Sequence, residues 1–127
     1  MEIAVLIPAY QPDSVLISLV QALHRENFRL IVTDDGSGPA YADIFSALLP
    51  YAEVLTCPEN RGKGNALKCA LRHLAEKPQG CRAFITADAD GQHTVADVWR
   101  LAEALTRGER KLYLGSRDFS LPHVPKK

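Results

Sequence analysis

Two carboxylates, Asp88 and Asp90, stand one residue apart in this 127-residue sequence and form its clearest candidate for chemistry. Like charges this close repel each other unless a cation or a hydrogen-bond network lies between them. A hard divalent ion such as Mg²⁺ or Mn²⁺ takes a few protein oxygens and completes its shell with diphosphate oxygens and water. Gln92 offers another oxygen in the same segment. The pair therefore indicates a metal site, although Asp-Gly is also typical of a solvated turn.

Asp34-Asp35-Gly36-Ser37 is a second polar cluster, and its residues suit a nucleotide. One carboxylate can accept a hydrogen bond from a base N–H, and Gly36 permits a sharp change of chain direction. Pro8-Ala9-Tyr10 supplies an aromatic ring that could stack on a base. Structural alternatives stay open, because the acidic cluster can cap backbone amides at a helix entry and the tyrosine can serve packing alone.

Asn60-Arg61-Gly62-Lys63-Gly64 is a third cluster, with two cations and two glycines just before a predicted helix. Backbone amides and cations at a helix N-terminus suit a phosphate. The spacing is not that of the P-loop, and the G-x-G-x-x-G pattern is absent from the sequence. The segment therefore indicates phosphate binding of another kind, or else a tight turn with surface charges.

The elements predicted to hold these clusters alternate between strand and helix. Apolar runs that stop at a proline or an aspartate predict buried strands, and apolar residues at helical spacing predict the helices between them. The strands are predicted at residues 3–7, 30–33, 53–56, 83–86 and 111–114. This order predicts an α/β fold, a three-layer, doubly wound, mostly parallel sheet. Because ligands bind beyond the C-terminal ends of such strands, the clusters are expected to converge at one edge.

Composition excludes several classes of protein. Lys plus Arg and Asp plus Glu are both 15, and this balance argues against a nucleic-acid-binding protein. The length suits one domain, and no apolar run reaches the roughly 20 residues of a membrane span. Nothing resembles a signal peptide, and the three cysteines, Cys57, Cys69 and Cys81, contain no C-x-x-C pair. We therefore expect a soluble cytoplasmic domain with reduced thiols.

The clusters resemble, in residue type and order, the motifs of the family-2 inverting glycosyltransferases. The matching segments are Pro8-Ala9-Tyr10, Asp34-Asp35-Gly36-Ser37, Asn60-Arg61-Gly62-Lys63-Gly64, Asp88-Ala89-Asp90-Gly91-Gln92-His93 and Gly115-Ser116-Arg117. Members of this family have the GT-A fold and use nucleotide-diphospho-sugar donors. The resemblance covers essentially the whole chain, and it is nearest to the polyprenol-phosphate sugar transferases, such as dolichyl-phosphate mannosyltransferase.

The resemblance implies a donor site, a metal site and an acceptor site. The donor-binding residues it implies are Pro8, Tyr10, Asp13, Asp35, Arg61, Lys63, Asp88 and Ala89. Asp13 stands where the family often has Glu, but Gln11-Pro12 interrupts the usual sequence. Asp90 and Gln92 would hold a divalent metal, Mg²⁺ or Mn²⁺, on the diphosphate. Arg117 would face the phosphate of a polyprenol-phosphate acceptor.

The implied reaction moves a sugar, with inversion, from the nucleotide-diphospho-sugar to a polyprenol phosphate or a glycan. A metal with Arg or Lys would stabilise the leaving diphosphate. A hydroxyl acceptor would need a general base, expected beyond this chain, whereas a phosphate acceptor is already anionic. Catalytic domains of the family are longer. We therefore expect residues 1–117 to form an incomplete donor-binding domain and 118–127 an irregular tail at a truncation point, with any membrane association supplied by a missing C-terminal part.

Three alternatives stay open beside this hypothesis. A catalytically incomplete domain would bind the donor without transferring the sugar. A nucleotidyltransferase should have a glycine-rich phosphate loop directly after its first strand, where this sequence has Pro8-Ala9-Tyr10. A receiver-type signalling module should have paired acids after its first strand and a lysine at the end of its fifth, where this sequence has Gly115-Ser116-Arg117.

Overall fold

Strands and helices alternate in the computed structural model, which describes residues 3–89 and 95–106. The strands are β1 (Ile3–Ala9), β2 (Arg29–Asp35), β3 (Glu53–Cys57) and β4 (Ala83–Thr86). The α-helices are α1 (Val15–Arg25), α2 (Ala42–Leu48), α3 (Lys63–Glu76) and α4 (Val95–Thr106), and a 3₁₀ turn (Pro39–Tyr41) precedes α2. The predicted alternation is confirmed over these ranges. The fifth predicted strand, at residues 111–114, lies outside the described residues.

The strands of the described region form one parallel sheet in the order β3-β2-β1-β4. Residues 4–9 of β1 pair with 29–34 of β2, and residues 3–6 pair with 83–86 of β4. On the far side of β2, residues 31–35 pair with 53–57 of β3. Parallel neighbours cannot be joined by a tight turn and need crossover connections, which the intervening helices supply. The predicted α/β class with a parallel sheet is therefore confirmed.

Helices cover both faces of the sheet and make three layers. Val5 and Ile7 of β1 belong to the core that α1, α2 and α4 form on one face. On the other face α3 packs against the sheet through Leu67 and Ala70. Residues 3–7 of β1 are at most 3% exposed. This two-sided burial explains why the first strand is apolar throughout rather than alternating.

The order of the strands reverses at β1, and this reversal decides where a ligand can enter. The chain runs from β1 to β2 and β3 on one side, and then crosses back so that β4 lies on the other side of β1. β1 and β4 are therefore neighbours that no direct connection joins, and doubly wound sheets bind ligands in the crevice beyond the C-terminal strand ends at such a position. Tyr10 directly follows β1, and Asp88 lies two residues after the end of β4.

Candidate functional site

A buried carboxylate fixes the loop that carries the two predicted cations. Asp35, at the end of β2, is 3% exposed. Its Oδ1 accepts a hydrogen bond from the backbone N–H of Arg61 at 3.0 Å, and its Oδ2 accepts one from the N–H of Gly62 at 2.9 Å. The Asn60 amide donates to Oδ2 at 3.0 Å and to the Asp35 carbonyl at 3.1 Å. Bonds to an ionised acceptor are strong, so Asp35 holds residues 60–62 against the sheet.

Gly36 brings the loops after β2 and β3 into direct contact. Its φ of +71° lies in the left-handed region. A Cβ at this position would overlap the backbones of Glu59 and Asn60. Glycine is therefore required at this position for two reasons, the backbone conformation and the close approach of the two loops.

Asp34 and Ser37 close the loop after β2 and attach it to the loop after β1. The Ser37 N–H donates to Oδ1 of Asp34 at 2.9 Å. The Ser37 hydroxyl accepts a hydrogen bond from the backbone N–H of Gln11 at 2.8 Å. Asp34 thus closes its own loop, and three successive loops are linked at this edge of the sheet.

Lys63 and Asp88 form an ion pair between the start of α3 and the end of β4. The Lys63 Nζ lies 3.0 Å from Oδ1 of Asp88, and the two side chains are 38% and 10% exposed. Asp88 precedes the predicted metal ligands in the chain, whereas Lys63 follows the loop that Asp35 holds. Two predicted donor-binding residues are therefore in contact at the expected edge of the sheet.

Tyr10 and Arg61 are predicted donor-binding residues with well-exposed side chains. Tyr10 is 51% exposed. The Arg61 side chain is 65% exposed, and its guanidinium lies 3.4 Å from Glu59, an exposed pairing that contributes little to stability. Pro8 is half-buried within β1. Asp13 is exposed, and its carboxylate accepts a hydrogen bond from the Val15 N–H at 2.9 Å, so it caps the start of α1.

A cavity of about 350 Å³ lies between the ends of β2 and β3, beside these loops. Its lining residues are Asp34, Gly36, Gly38, Ala42, Phe45, Thr56, Cys57 and Pro58. The predicted donor-binding residues are not among them. The cavity therefore adjoins the candidate site without being the crevice between β1 and β4.

The predicted metal ligands, Asp90 and Gln92, and the predicted acceptor contact, Arg117, lie outside the described residues. Within residues 3–89 and 95–106, no group of three or more His, Cys, Asp or Glu side chains is close enough to hold a metal ion. The described chain reaches the half-buried Ala89, whose methyl group packs against the core, directly before the predicted ligands. Carboxylate and amide oxygens after Asp88 form a hard donor set, which fits Mg²⁺ or Mn²⁺.

A second charged cluster lies at the N-terminal edge of the sheet, and no motif or spacing in the sequence predicts it. Arg29 donates to both carboxylate oxygens of Glu53, at 2.7 and 2.9 Å, and to the carbonyls of Lys77 and Pro78. The His73 Nε2 lies 2.7 Å from Oε1 of Glu53. The hydrogen bond from Arg29 lowers the pKa of Glu53 to about 2 against the opposing effect of burial, with His73 adding to the lowering. We call these residues the Arg29–Glu53–His73 cluster.

The family of the chain follows from its sequence. The model of the family described as "Glycosyl transferase family 2" matches residues 4–125. The chain belongs to glycosyl transferase family 2. The resemblance that the motifs indicated is therefore confirmed, and the parallel sheet flanked by helices is consistent with a GT-A type domain.

Two curated relatives match the chain over most of its length. An uncharacterized protein of Methanocaldococcus jannaschii is 33% identical over 123 residues, which cover 91% of this chain and 46% of the relative. The UDP-N-acetylglucosamine–dolichyl-phosphate N-acetylglucosaminyltransferase of Methanococcus voltae is 26% identical over 131 residues, which cover 91% of this chain and 51% of the relative. The chain thus spans about half the length of the curated relatives it matches. No solved structure gives a significant match.

The role of Asn60 in this site was not predicted from the sequence. Asn60 received no role of its own, although its amide joins the loop to Asp35. The only sequence signal for it is an amide side chain two residues before a glycine in the loop that follows β3.

In the part of the chain that the structure describes, no helix is long and apolar enough to cross a membrane.

Proposed function

We propose that this chain binds a nucleotide-diphospho-sugar at the C-terminal edge of its sheet and serves the inverting transfer of the sugar to a polyprenol phosphate. One observation carries the proposal: Asp35 holds the loop of Arg61, and Lys63, which begins the next helix, pairs with Asp88. Family membership supports glycosyl transfer. The printed name of the Methanococcus voltae relative specifies a UDP-sugar and dolichyl phosphate, which supports a uridine nucleotide and a lipid-phosphate acceptor here.

The nucleoside is proposed to bind where β1 and β2 end. Tyr10 is exposed enough to stack on a base. Pro8 precedes it near the end of β1, and Asp13 follows it on the connection to α1. Asp35 accepts three hydrogen bonds from the loop. A carboxylate has about four lone-pair sites, so an acceptor position is left for a base N–H.

The diphosphate is proposed to bind beside Arg61, Lys63, Asp88 and Ala89. Cations that are already oriented stabilise the charge of a leaving diphosphate without a reorganisation cost at the moment of reaction. Lys63 is oriented by its ion pair with Asp88, and the backbone of Arg61 is oriented by Asp35. A divalent metal held by Asp90 and Gln92 would supply Lewis-acid stabilisation of the same diphosphate.

The acceptor is proposed to approach the anomeric carbon from the face opposite the diphosphate, which inverts the configuration. A phosphate acceptor is already anionic and needs no general base from this chain. Arg117 is proposed to orient that phosphate. A cytoplasmic location for the reaction is supported by the three unbonded thiols, since reduced cysteines are typical of that compartment.

Calorimetry of the purified chain against UDP and GDP, each with Mn²⁺ and then with EDTA, tests the proposal. We expect one nucleotide to bind with Mn²⁺ and to lose most of its affinity in EDTA. Binding is measured apart from transfer because the chain spans about half of its relatives. Asp90→Asn should remove the metal dependence while leaving the circular dichroism spectrum unchanged.

Glu53→Gln is the matched control, because it removes a carboxylate of the Arg29–Glu53–His73 cluster at the opposite edge. Its nucleotide affinity should equal that of the unchanged chain. Failure of both nucleotides to bind in the presence of Mn²⁺ would contradict the proposal. Equal loss of affinity in Glu53→Gln and Asp90→Asn would contradict the assignment of the site to the C-terminal edge.

A further inference from the structure

We propose that Cys57 and Cys69 are a modification site, a thiol pair that a peroxide converts into a disulfide. The two sulfur atoms lie 3.8 Å apart. Cys57 is the last residue of β3 and is 8% exposed, whereas Cys69 lies on α3 and is half-buried. A disulfide needs a separation of ~2.05 Å between its sulfurs, so the two thiols are in contact but not bonded.

The third cysteine, Cys81, lies far from this pair. It precedes β4, and its sulfur lies 3.8 Å from the guanidinium of Arg29 at the start of β2. Cys57 is paired with Asp35 at the other end of β2. Six residue steps of about 3.3 Å separate the two ends of this strand, roughly 20 Å. The fold therefore brings two of the three cysteines together and keeps the third at the opposite edge.

The oxidation is balanced with hydrogen peroxide as the oxidant. The thiolate of the more exposed Cys69 attacks one peroxide oxygen, the O–O bond breaks, and Cys69 becomes a sulfenic acid with release of hydroxide. The Cys57 sulfur then attacks the Cys69 sulfur, the S–O bond breaks, and a second hydroxide leaves. The two thiol protons convert these hydroxides to water. Two thiols are thus oxidised by two electrons, and one peroxide is reduced to two water molecules.

Burial favours this order of events. Desolvation raises the pKa of the Cys57 thiol, and its contact with Cys69 and the nearby carboxylates of Asp35 and Asp34 raise it further. A thiol that stays protonated reacts slowly with an oxidant in solution. Cys57 therefore serves as the second thiol, which reacts once a sulfenic acid has formed beside it.

The crosslink would close a ring around the loop of the candidate site. The ring includes residues 58–68, and with them Asn60, Arg61 and Lys63. In the reduced chain the hydrogen bonds to Asp35 hold this loop at the end of β2. Because those residues belong to the donor site, an effect of oxidation on nucleotide binding rests on the proposed function, whereas disulfide formation does not.

Thiol counting and peptide mapping of the folded 127-residue chain test the proposal. After treatment with one equivalent of hydrogen peroxide, we expect the number of alkylatable thiols to fall from three to one. The intact mass should fall by about 2 Da, and digestion should yield a linked Cys57–Cys69 peptide with Cys81 alkylated. Dithiothreitol should restore all three thiols. The Cys81→Ser variant should form the same link, and Cys69→Ser should form none.

Three alkylatable thiols after the treatment would overturn the proposal. So would a sulfinic acid at Cys69 beside an unreacted Cys57, or links that involve Cys81 in the folded chain. These results need only the unchanged chain, so a variant that fails to fold does not obscure them. Calorimetry of the same oxidised and reduced samples against UDP and GDP with Mn²⁺ separates the two proposals, because a reduced chain that binds neither nucleotide contradicts the proposed function alone, whether or not the link forms on oxidation.

Discussion

The two edges of the sheet both carry charged residues, but they use them differently. At the N-terminal edge, each nitrogen of the Arg29 guanidinium donates to a protein acceptor, and both oxygens of Glu53 accept hydrogen bonds from Arg29. At the C-terminal edge, Asp35 takes backbone and amide donors from a loop. The guanidinium of Arg61 in that same loop is left exposed to solvent.

This difference separates a structural cluster from a candidate binding site. Charged side chains that bind one another in a closed cluster connect the elements that carry them. Few of their hydrogen-bonding groups then remain available to a ligand. A carboxylate that binds backbone N–H groups instead fixes a loop while leaving the side chains of that loop available. The bonding partners of charged residues, and not the number of such residues, therefore distinguish a structural cluster from a candidate binding site.

Gly36→Ala, at the C-terminal edge, should destabilise the chain more than the other substitutions. The new Cβ would overlap the backbones of Glu59 and Asn60, and the φ of +71° would be strained. We expect the free energy of unfolding, measured with urea, to fall by about 3–5 kcal/mol. Gly38→Ala is the control, because Gly38 has a φ of +96° but nothing within 4 Å of its Cβ position. Its cost should be about 1–2 kcal/mol, and equal costs for both variants would contradict the contact between the loops.

Asp35→Asn should have the next largest effect. An amide offers one oxygen in place of two, and its NH₂ group would face the N–H of Arg61 or of Gly62. We expect unfolding to become easier by about 2–3 kcal/mol and nucleotide affinity to fall at least about tenfold. Asp34→Asn keeps an acceptor for the Ser37 N–H and should cost less than about 1 kcal/mol. Similar urea midpoints for the two variants would argue against the bonding described for Asp35.

Glu53→Gln tests the N-terminal edge and carries a pH dependence. The pKa of Glu53 is lowered from 4.5 to about 2, chiefly by its hydrogen bond with Arg29. The stabilisation is therefore complete above pH 4.5 and is lost as the pH falls toward 2. Because the Glu53 side chain is 39% exposed, we expect a loss of only about 1–2 kcal/mol at neutral pH.

The measurement for this variant is the urea midpoint between pH 7 and pH 2. The unchanged chain should lose more stability than Glu53→Gln as the pH falls below 4.5. Parallel pH profiles for the two chains would show that the cluster does not contribute in the way described.

Arg61→Ala should change stability least. Its side chain is 65% exposed and pairs with Glu59 at 3.4 Å, so unfolding should change by at most about 0.5 kcal/mol. Nucleotide affinity should nevertheless fall about tenfold, a loss of ~1.4 kcal/mol in binding. Arg100→Ala is a comparable exposed arginine on α4 and should leave affinity unchanged. Equal affinities for Arg61→Ala and the unchanged chain would remove Arg61 from the donor site.

The fold could be predicted from the sequence because the spacing of apolar residues that indicates each strand or helix lies within that element. The apolar run of β1 and the helical spacing of Leu16, Leu19 and Leu23 each lie within one element, and the structure confirms them. The parallel arrangement followed from the alternation of strand and helix. The convergence of the polar clusters at one edge followed in turn, and the structure brings Lys63 and Asp88 of two of these clusters into contact.

The bonding inside the site could not be predicted, because it depends on distances between segments. Nothing in the sequence indicates that Asp35 and not Asp34 reaches the loop of Asn60, or that Gly36 touches the backbone of that loop. The Arg29–Glu53–His73 cluster escaped for the same reason, since its members lie on three elements. The donor-binding and metal-binding roles of the predicted residues stay predictions.

The bond between Asp35 and the following loop also orders the folding of the chain. The partners of this carboxylate are 25 to 27 positions further along the chain. A charged carboxylate is costly to bury before its donors are present. Asp35 can therefore leave water only once the third strand has joined the sheet and residues 60–62 have reached it. The edge that carries the candidate site therefore has its full set of hydrogen bonds only when β3 and the loop before α3 are both in place.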